Sequence, residues 1–283
     1  MGISVLKEFI KYSLSFLLIA CVHATASQEP SQPPVDPAPA PAPTPEPSPV
    51  PPPPTPAPTP PIGMAFLNPT IYYKPTIYLD KSKCNGDIVD MISPEGAVLV
   101  SLCGPDYRNC LMQGACFVYD NGQFRSYNYY ARGTDDVPRF KEVDTKKCPY
   151  GYGVRNSCLD PYFTVAADLK IYKPGDVIFV PRIVGVTMPT GEVHDGFFIV
   201  RDRGAAIVGI SRFDFFTGFE GLRDRNNILV RMGFANKANQ FEFRMATEEE
   251  ATAVRVRQGY PGIRRAVVLP PMAPPAPRQQ TQN

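Results

Sequence analysis

The chain has no tryptophan and only two histidines, His23 and His194, in 283 residues. Without tryptophan, any ring stacking falls to its 14 tyrosines and 17 phenylalanines. The scarcity of histidine narrows the chemistry further. His194, in "EVHDGFF", is the one imidazole outside the N-terminal leader, so a Ser-His-Asp or Cys-His mechanism would have to run through it, and no Gly-x-Ser-x-Gly elbow accompanies it. His194 and Asp195 offer two neighbouring metal ligands with no third at ligand spacing, the pattern of a polar turn. No Walker loop or dinucleotide fingerprint is present, which removes phosphate chemistry. Charge of one sign is also lacking: 29 Lys and Arg face 27 Asp and Glu, a net +2, too balanced for a dedicated nucleic-acid binder. No metal, cofactor or nucleic acid is expected.

Proline, in contrast, is abundant and clustered. The leader "MGISVLKEFIKYSLSFLLIACVHATAS" carries Lys7 and Lys11 before an apolar run too short for a comfortable span, the form of an export signal. It ends at residue 20 if "LIAC" is a lipobox that puts a lipid on Cys21, or at residue 26 if "ATA" is the cleavage site. The product is then a lipoprotein on the periplasmic face of the outer membrane, or soluble in the periplasm or outside the cell. A spacer occupies 27–61; from Glu29 to Pro61, 18 of 33 residues are proline, which precludes a packed core and favours polyproline II. A similar tail occupies 269–283 and is expected to be disordered.

The remaining chain divides into a Cys-rich β region at 62–160, a β-barrel core at 161–246, and a helix and strand at 247–268. Six cysteines, Cys84, Cys103, Cys110, Cys116, Cys148 and Cys158, contain no C-x-x-C pair and predict three disulfides in an oxidising compartment, with connectivity open. Short runs rich in β-branched and aromatic residues, "TIYYKPTIYL", "AVLVSL", "ACFVYD", "FRSYNYY", "DVIFVPRIVG", "GFFIVRD", "NNILVRMGF" and "QFEFRM", predict strands, and their number argues for a closed barrel. The clearest helix is "TEEEATAVRVRQGY", with Thr247 as cap and Glu248 to Glu250 at the positive end of the dipole.

What chemistry remains is that of carboxylates. In "RFDFF", Phe213, Phe215 and Phe216 surround Asp214, and an apolar setting raises the pKa of an acid by disfavouring its charged form. On a strand, Phe213 and Phe215 take the face opposite Asp214, and Phe216 shares its face. Such an acid can protonate a glycosidic oxygen, or can simply accept hydrogen bonds from a loop.

From Val165 to Gly218 the chain resembles the three-aspartate (3D) domain, most similar to the catalytic barrel of the membrane-bound lytic transglycosylases A. The motifs are "AAD" with Asp168, Pro174-Gly175 at a turn, "DRGAAIVG" with Asp202, Gly204 and Gly209, and "RFDFFTG" with Asp214. The resemblance implies a mainly β fold, a six-stranded double-psi β-barrel with a disulfide-rich β extension before it. It implies peptidoglycan glycan strands as substrate and a single catalytic acid/base, Asp214, with Asp202 and Asp168 in support. The product would carry 1,6-anhydromuramic acid. The chain departs from the pattern at Ala205 and Val208, and in the interval of 12 residues from Asp202 to Asp214 where the family generally has 11; the added residue reads as a β-bulge that re-aims Asp214, or as a misplacement. Tyr127, Tyr129, Tyr130, Tyr150 and Tyr152 offer stacking surfaces, Arg155 and Arg212 offer charge for substrate carboxylates, and a Cys148–Cys158 bridge would hold the Tyr150 loop as a groove wall. The alternative function is a wall-binding module that cleaves nothing.

Overall fold

The computed structural model describes residues 59–272. The leader, Cys21, most of the proline-rich spacer and the tail from residue 273 lie outside the described residues, so the expectations placed on them are not addressed here.

Among the described residues, twelve strands are distributed between a barrel and a sheet. In chain order the elements are β1 (Ala65–Tyr72), β2 (Thr76–Tyr78), β3 (Ile88–Ile92), β4 (Val98–Cys103), α1 (Gly104–Gln113), β5 (Ala115–Asp120), β6 (Gln123–Arg132), β7 (Pro138–Glu142) and β8 (Thr164–Ala166). They continue with β9 (Val177–Phe179), β10 (Phe197–Asp202), β11 (Arg212–Phe216), α2 (Ile228–Arg231), β12 (Phe241–Met245) and α3 (Glu248–Gln258). The barrel closes in the order β1-β11-β8-β10-β9-β12, and the sheet runs β2-β5-β6-β7-β3-β4. β1 pairs with β11, and β10 with β8, in parallel.

The division drawn at residue 160 does not separate the barrel strands. "TIYYKPTIYL" is two strands: β1 is a stave of the barrel, and after Pro75 the chain crosses into the sheet as β2. Alternation explains the barrel's use of β1, because Leu67, Pro69 and Ile71 are buried while Asn68, Thr70 and Tyr72 face outward. Leu67 and Ile71 join Val165, Ile178, Phe198, Val200, Phe213, Phe215 and Phe243 in one core. Each such side chain contributes roughly 1.5–3 kcal/mol by leaving water. The sheet has its own core, in which Tyr107 and Cys110 of α1 pack with Met91, Leu102 and Tyr127.

Three disulfides are present, Cys84–Cys103, Cys110–Cys116 and Cys148–Cys158, as three pairs were expected. Two brace the sheet, and the third closes the Tyr150 loop where sheet and barrel meet. That junction is a small apolar cluster of Phe117, Tyr150, Leu159 and Phe216. Lys74 is buried beside it with 1 % exposure, its ammonium donating to Ser126 Oγ at 2.6 Å and lying 4.6 Å from the Phe117 ring centre. Burial without a carboxylate partner pulls the Lys74 ammonium down to about 7.

The expected C-terminal helix is α3, with the Thr247 hydroxyl accepting from the Glu250 amide and the Glu250 carboxylate accepting in return from the Thr247 amide. No strand follows it among the described residues. "NNILVRMGF" is helical, not a strand. Asn227 caps it by accepting from the Val230 amide, so a capping side chain overrides the β-branched run. α1 was not foreseen; Pro105 sits in its first turn and Gly114 ends it in the left-handed region.

Candidate active site on the outer face of the barrel

Four neighbouring staves put the acidic residues in one row. Asp214 on β11 and Asp202 on β10 both register against Ala166 of β8, one on each side, and Thr70 of β1 registers against Asp214. Ala166 has only a methyl group and is 3 % exposed, which leaves room for the Tyr72 phenol to reach across from β1 to Asp202. Phe213 and Phe215 point into the barrel core with no exposed surface, while Asp214 faces outward and is part exposed. Phe213 and Phe215 therefore anchor the strand and do not themselves cover the acid; Phe216, on the outer face, packs with Tyr72 at 5.0 Å between ring centres.

The β-bulge lies elsewhere than the sequence suggested. In β10 the register passes from Val200↔Val165 to Asp202↔Ala166, so two residues, Arg201 and Asp202, oppose one. Phe198 and Val200 face the core; strict alternation would send Asp202 inward as well. The bulge at Arg201 turns it outward, so the residue that is re-aimed is Asp202, not Asp214. Arg201 is fully buried, and its guanidinium donates to the carbonyls of Cys158 at 3.0 Å and Gly262 at 2.7 Å.

Each carboxylate has assigned partners. The Thr70 hydroxyl donates to Asp214 Oδ1 at 2.6 Å, and Arg212 donates to Thr70 Oγ1 at 2.8 Å, which directs the hydroxyl proton toward Asp214. Burial raises the Asp214 carboxyl above its usual range; the Thr70 hydrogen bond and the Arg212 charge offset part of this. Asp202 accepts from the Tyr72 hydroxyl at 3.0 Å and from the Arg203 amide at 2.8 Å. Burial nevertheless pushes its carboxyl up to about 6, and the charge of Asp214 adds to the rise. Tyr72 is itself raised well above its usual value, first by burial and then by both aspartates.

Asp168 follows β8 and is spent on backbone. Its two oxygens accept from the amides of Gly209, at 2.9 Å, and Lys170, at 3.0 Å, which holds its carboxyl below the usual range. It pins the loop that joins the other two aspartates. Gly209 stands at φ +99°, where an L side chain is strained. A Cβ on Gly204 would meet Ile207 Cγ1 at 2.7 Å.

The other candidate contacts are scattered. Tyr150 is 3 % exposed, its hydroxyl bonded to the Val268 carbonyl at 2.7 Å, so it is a junction core residue and not a stacking surface. Tyr127 is buried in the sheet core, whereas Tyr129 and Tyr130 are exposed. Tyr152 is half-buried in a bridge with Cys158, and Arg155 is exposed at φ +53°. Arg212 alone of these joins the aspartate row. His194 accepts from the Gly196 amide through Nδ1 and bonds the Tyr162 carbonyl through Nε2, and burial lowers it to about 4. Both nitrogens are occupied in the core, consistent with a polar turn and with no catalytic part. One concavity opens on the sheet beside Tyr78 and Tyr119 and another on the barrel beside Arg212; neither of these is lined by Asp202 or Asp214.

Thr70 and Tyr72 escaped the sequence reading. Their signal is the outward face of "NPTIY", where a hydroxyl and a phenol recur two residues apart, but nothing local says which strand that face will meet.

The raised carboxyl of Asp202 has a thermodynamic consequence. The unfolded chain ionises this group near pH 4 and the folded one near 6, so folded-state stability falls as pH rises through that window and the full cost is present above it. Asp202→Asn is expected to raise the melting temperature at pH 7, by about 1–2 kcal/mol of stability after allowance for its part exposure. Thermal unfolding from about pH 4 to 7 should show the gap between variant and parent opening with pH; a constant gap would contradict the assignment.

Residues 163–226 match the family model of the 3D domain, a span that holds all three aspartates. No curated protein matches the chain. Among solved structures, E. coli MltA with bound chitohexaose is similar at 15% identity and a TM-score of 0.44, over 64% of this chain and 72% of that one. A membrane-bound lytic murein transglycosylase from Agrobacterium tumefaciens is similar at 14% identity and a TM-score of 0.42, over 67% and 76%. LtgG, a lytic transglycosylase of Burkholderia pseudomallei, is similar at 16% identity and a TM-score of 0.36, over 64% and 71%.

Proposed function

We propose that this chain is an exported peptidoglycan lytic transglycosylase on a double-psi barrel, with Asp214 as its single acid/base. The observation that carries the reading is the Arg212–Thr70–Asp214 relay. It leaves one largely desolvated carboxyl on the outer face of the barrel, with Oδ1 held by Thr70 and Oδ2 left to carry a proton. The 3D-domain match, which spans Arg212 and Asp214 though not Thr70, supports it.

In the first step Asp214 protonates the oxygen between N-acetylmuramic acid and N-acetylglucosamine, and the C1–O bond breaks with that electron pair leaving on the departing sugar. Asp214, now ionised, takes the proton of the muramyl C6 hydroxyl, whose oxygen closes on C1 to give the 1,6-anhydro ring. The proton given to the departing sugar is replaced on Asp214 by the one from the C6 hydroxyl, so no water is consumed. Asp202 would hold the nearby phenol of Tyr72 in place, and Asp168 the loop between the two acids.

A second reading is favoured by one observation. Asp202 and Asp214 flank a single strand, so their backbones stand two strand spacings apart, about 10 Å. Two carboxyls on strands so spaced are the outline of an inverting hydrolase, which would need the Tyr72 phenol, bonded to Asp202, to give way to a water. Digestion of purified sacculi separates the readings by mass: anhydromuropeptides support the transglycosylase, and hydrated reducing ends support hydrolysis. Sacculus binding with no soluble product would make the chain a wall-binding module.

A further inference from the structure

The concavity on the barrel has a volume of about 730 Å³ and carries three cationic side chains, Lys170, Arg212 and Lys237. Its one carboxylate is Asp168, whose oxygens already accept from two backbone amides. The charge left facing solvent is therefore positive. Ile171 and Ile210 supply an apolar floor. Arg212 connects this space to the acid: it lies two residues before Asp214 on the same face of β11, a step of about 7 Å along a strand, and it donates to the hydroxyl that holds Asp214. It also donates to the Asn68 carbonyl at 3.0 Å, which fixes its guanidinium at the edge of the concavity.

A glycan of N-acetylglucosamine alone is neutral, whereas a muramyl strand bears carboxylates, on the lactyl ether when the peptide is absent and on the stem peptide when it is present. We propose that this cationic concavity is a subsite for a carboxylate of the substrate, and that it selects muramyl strands over neutral chitin-like chains. The inference rests on the glycan reading of the Asp214 face. The subsite adds binding beside the reacting bond and takes no part in proton transfer, so Lys170 and Lys237, both exposed, act on affinity alone. A carboxylate beside two lysines and Arg212 gains ion-pair attraction as well as hydrogen bonds, while a neutral sugar gains hydrogen bonds alone.

The test uses the intact chain and three probes: chitohexaose, a stem-free muramyl strand, and a strand with its peptides. The double variant Lys170→Gln/Lys237→Gln is expected to weaken binding of muramyl strands roughly five- to tenfold at low salt and to leave chitohexaose binding, kcat and the melting temperature unchanged. Affinity of the parent for muramyl strands should fall with salt, and this dependence should flatten in the variant. An effect on the stem-free strand assigns the lactyl carboxylate; an effect confined to the peptide-bearing strand assigns the stem. A parent that holds muramyl strands no better than chitohexaose, or a variant that loses both equally, overturns the subsite. Selective binding without any cleavage would keep the subsite and remove the enzyme; cleavage without selectivity would do the reverse.

Discussion

Replacing Asp214 with Asn should abolish anhydromuropeptide release, with a loss of at least about a hundredfold in turnover, while the melting temperature does not fall below that of the parent. The kinetic figure follows from general acid–base catalysis, whose removal costs about 10²–10⁴-fold. The thermal expectation follows from the site. Burial raises the carboxyl, so the folded state favours the protonated acid, which Asn mimics in shape and charge. Its amide oxygen can still accept from the Thr70 hydroxyl, the contact that Asp214 Oδ1 makes at 2.6 Å. Sacculus pull-down should be unchanged, because the variant keeps the barrel face. A variant that retains a tenth of the activity would remove Asp214 from the acid/base role, and the paired variant Asp202→Asn would then show whether the function had moved one stave along.

Gly153→Ala is expected to have the largest structural effect of any single methyl added near the site. A Cβ at Gly153 would lie 2.1 Å from the Arg201 carbonyl oxygen and 3.0 Å from its carbon, both backbone atoms that cannot rotate away. Overpacking of this kind costs about 1–3 kcal/mol, which in a domain of this size lowers the melting temperature by roughly 2–12 °C. The displaced backbone is the bulge that turns Asp202 outward. Activity should therefore fall by more than stability accounts for, and the rise of the Asp202 carboxyl should shrink as the group swings toward water. Thermal unfolding combined with a carboxyl titration by NMR reads both effects. Unchanged melting and an unchanged Asp202 titration would show that the bulge does not depend on this contact.

How much of this was legible in the chain depends on how far apart the interacting residues stand. The strand carrying Asp214 and the opposite aim of Phe213 and Phe215 follow from local alternation, and both hold; which of the two faces is the outer one does not follow from it. The capping box of α3 lies within four residues and was equally readable. Tyr150 was misplaced because an aromatic in a disulfide loop looks the same in sequence whether its ring meets solvent or a distant strand; here its hydroxyl meets Val268, 118 residues away. Thr70 and Tyr72 meet their aspartates across 144 and 130 residues. Such pairings depend on the order in which staves close, and that order is a property of the whole barrel. The bulge was invisible for a different reason: an additional residue in one ladder leaves no mark on composition or periodicity until the partner strand is known.

The registration of both acids on Ala166 changes what the interval between them means. Because two ladders hold the carboxylates, residues 203–211 are a tether whose ends are already placed, and its length is free to drift. Closing a loop one residue longer costs little. Spacing within such a motif is then a poor gauge of whether the chemistry survives, and the small residue on the intervening stave a better one: a bulky side chain at position 166 would displace the Tyr72 phenol that reaches across to Asp202, whatever the loop between the two acids looks like.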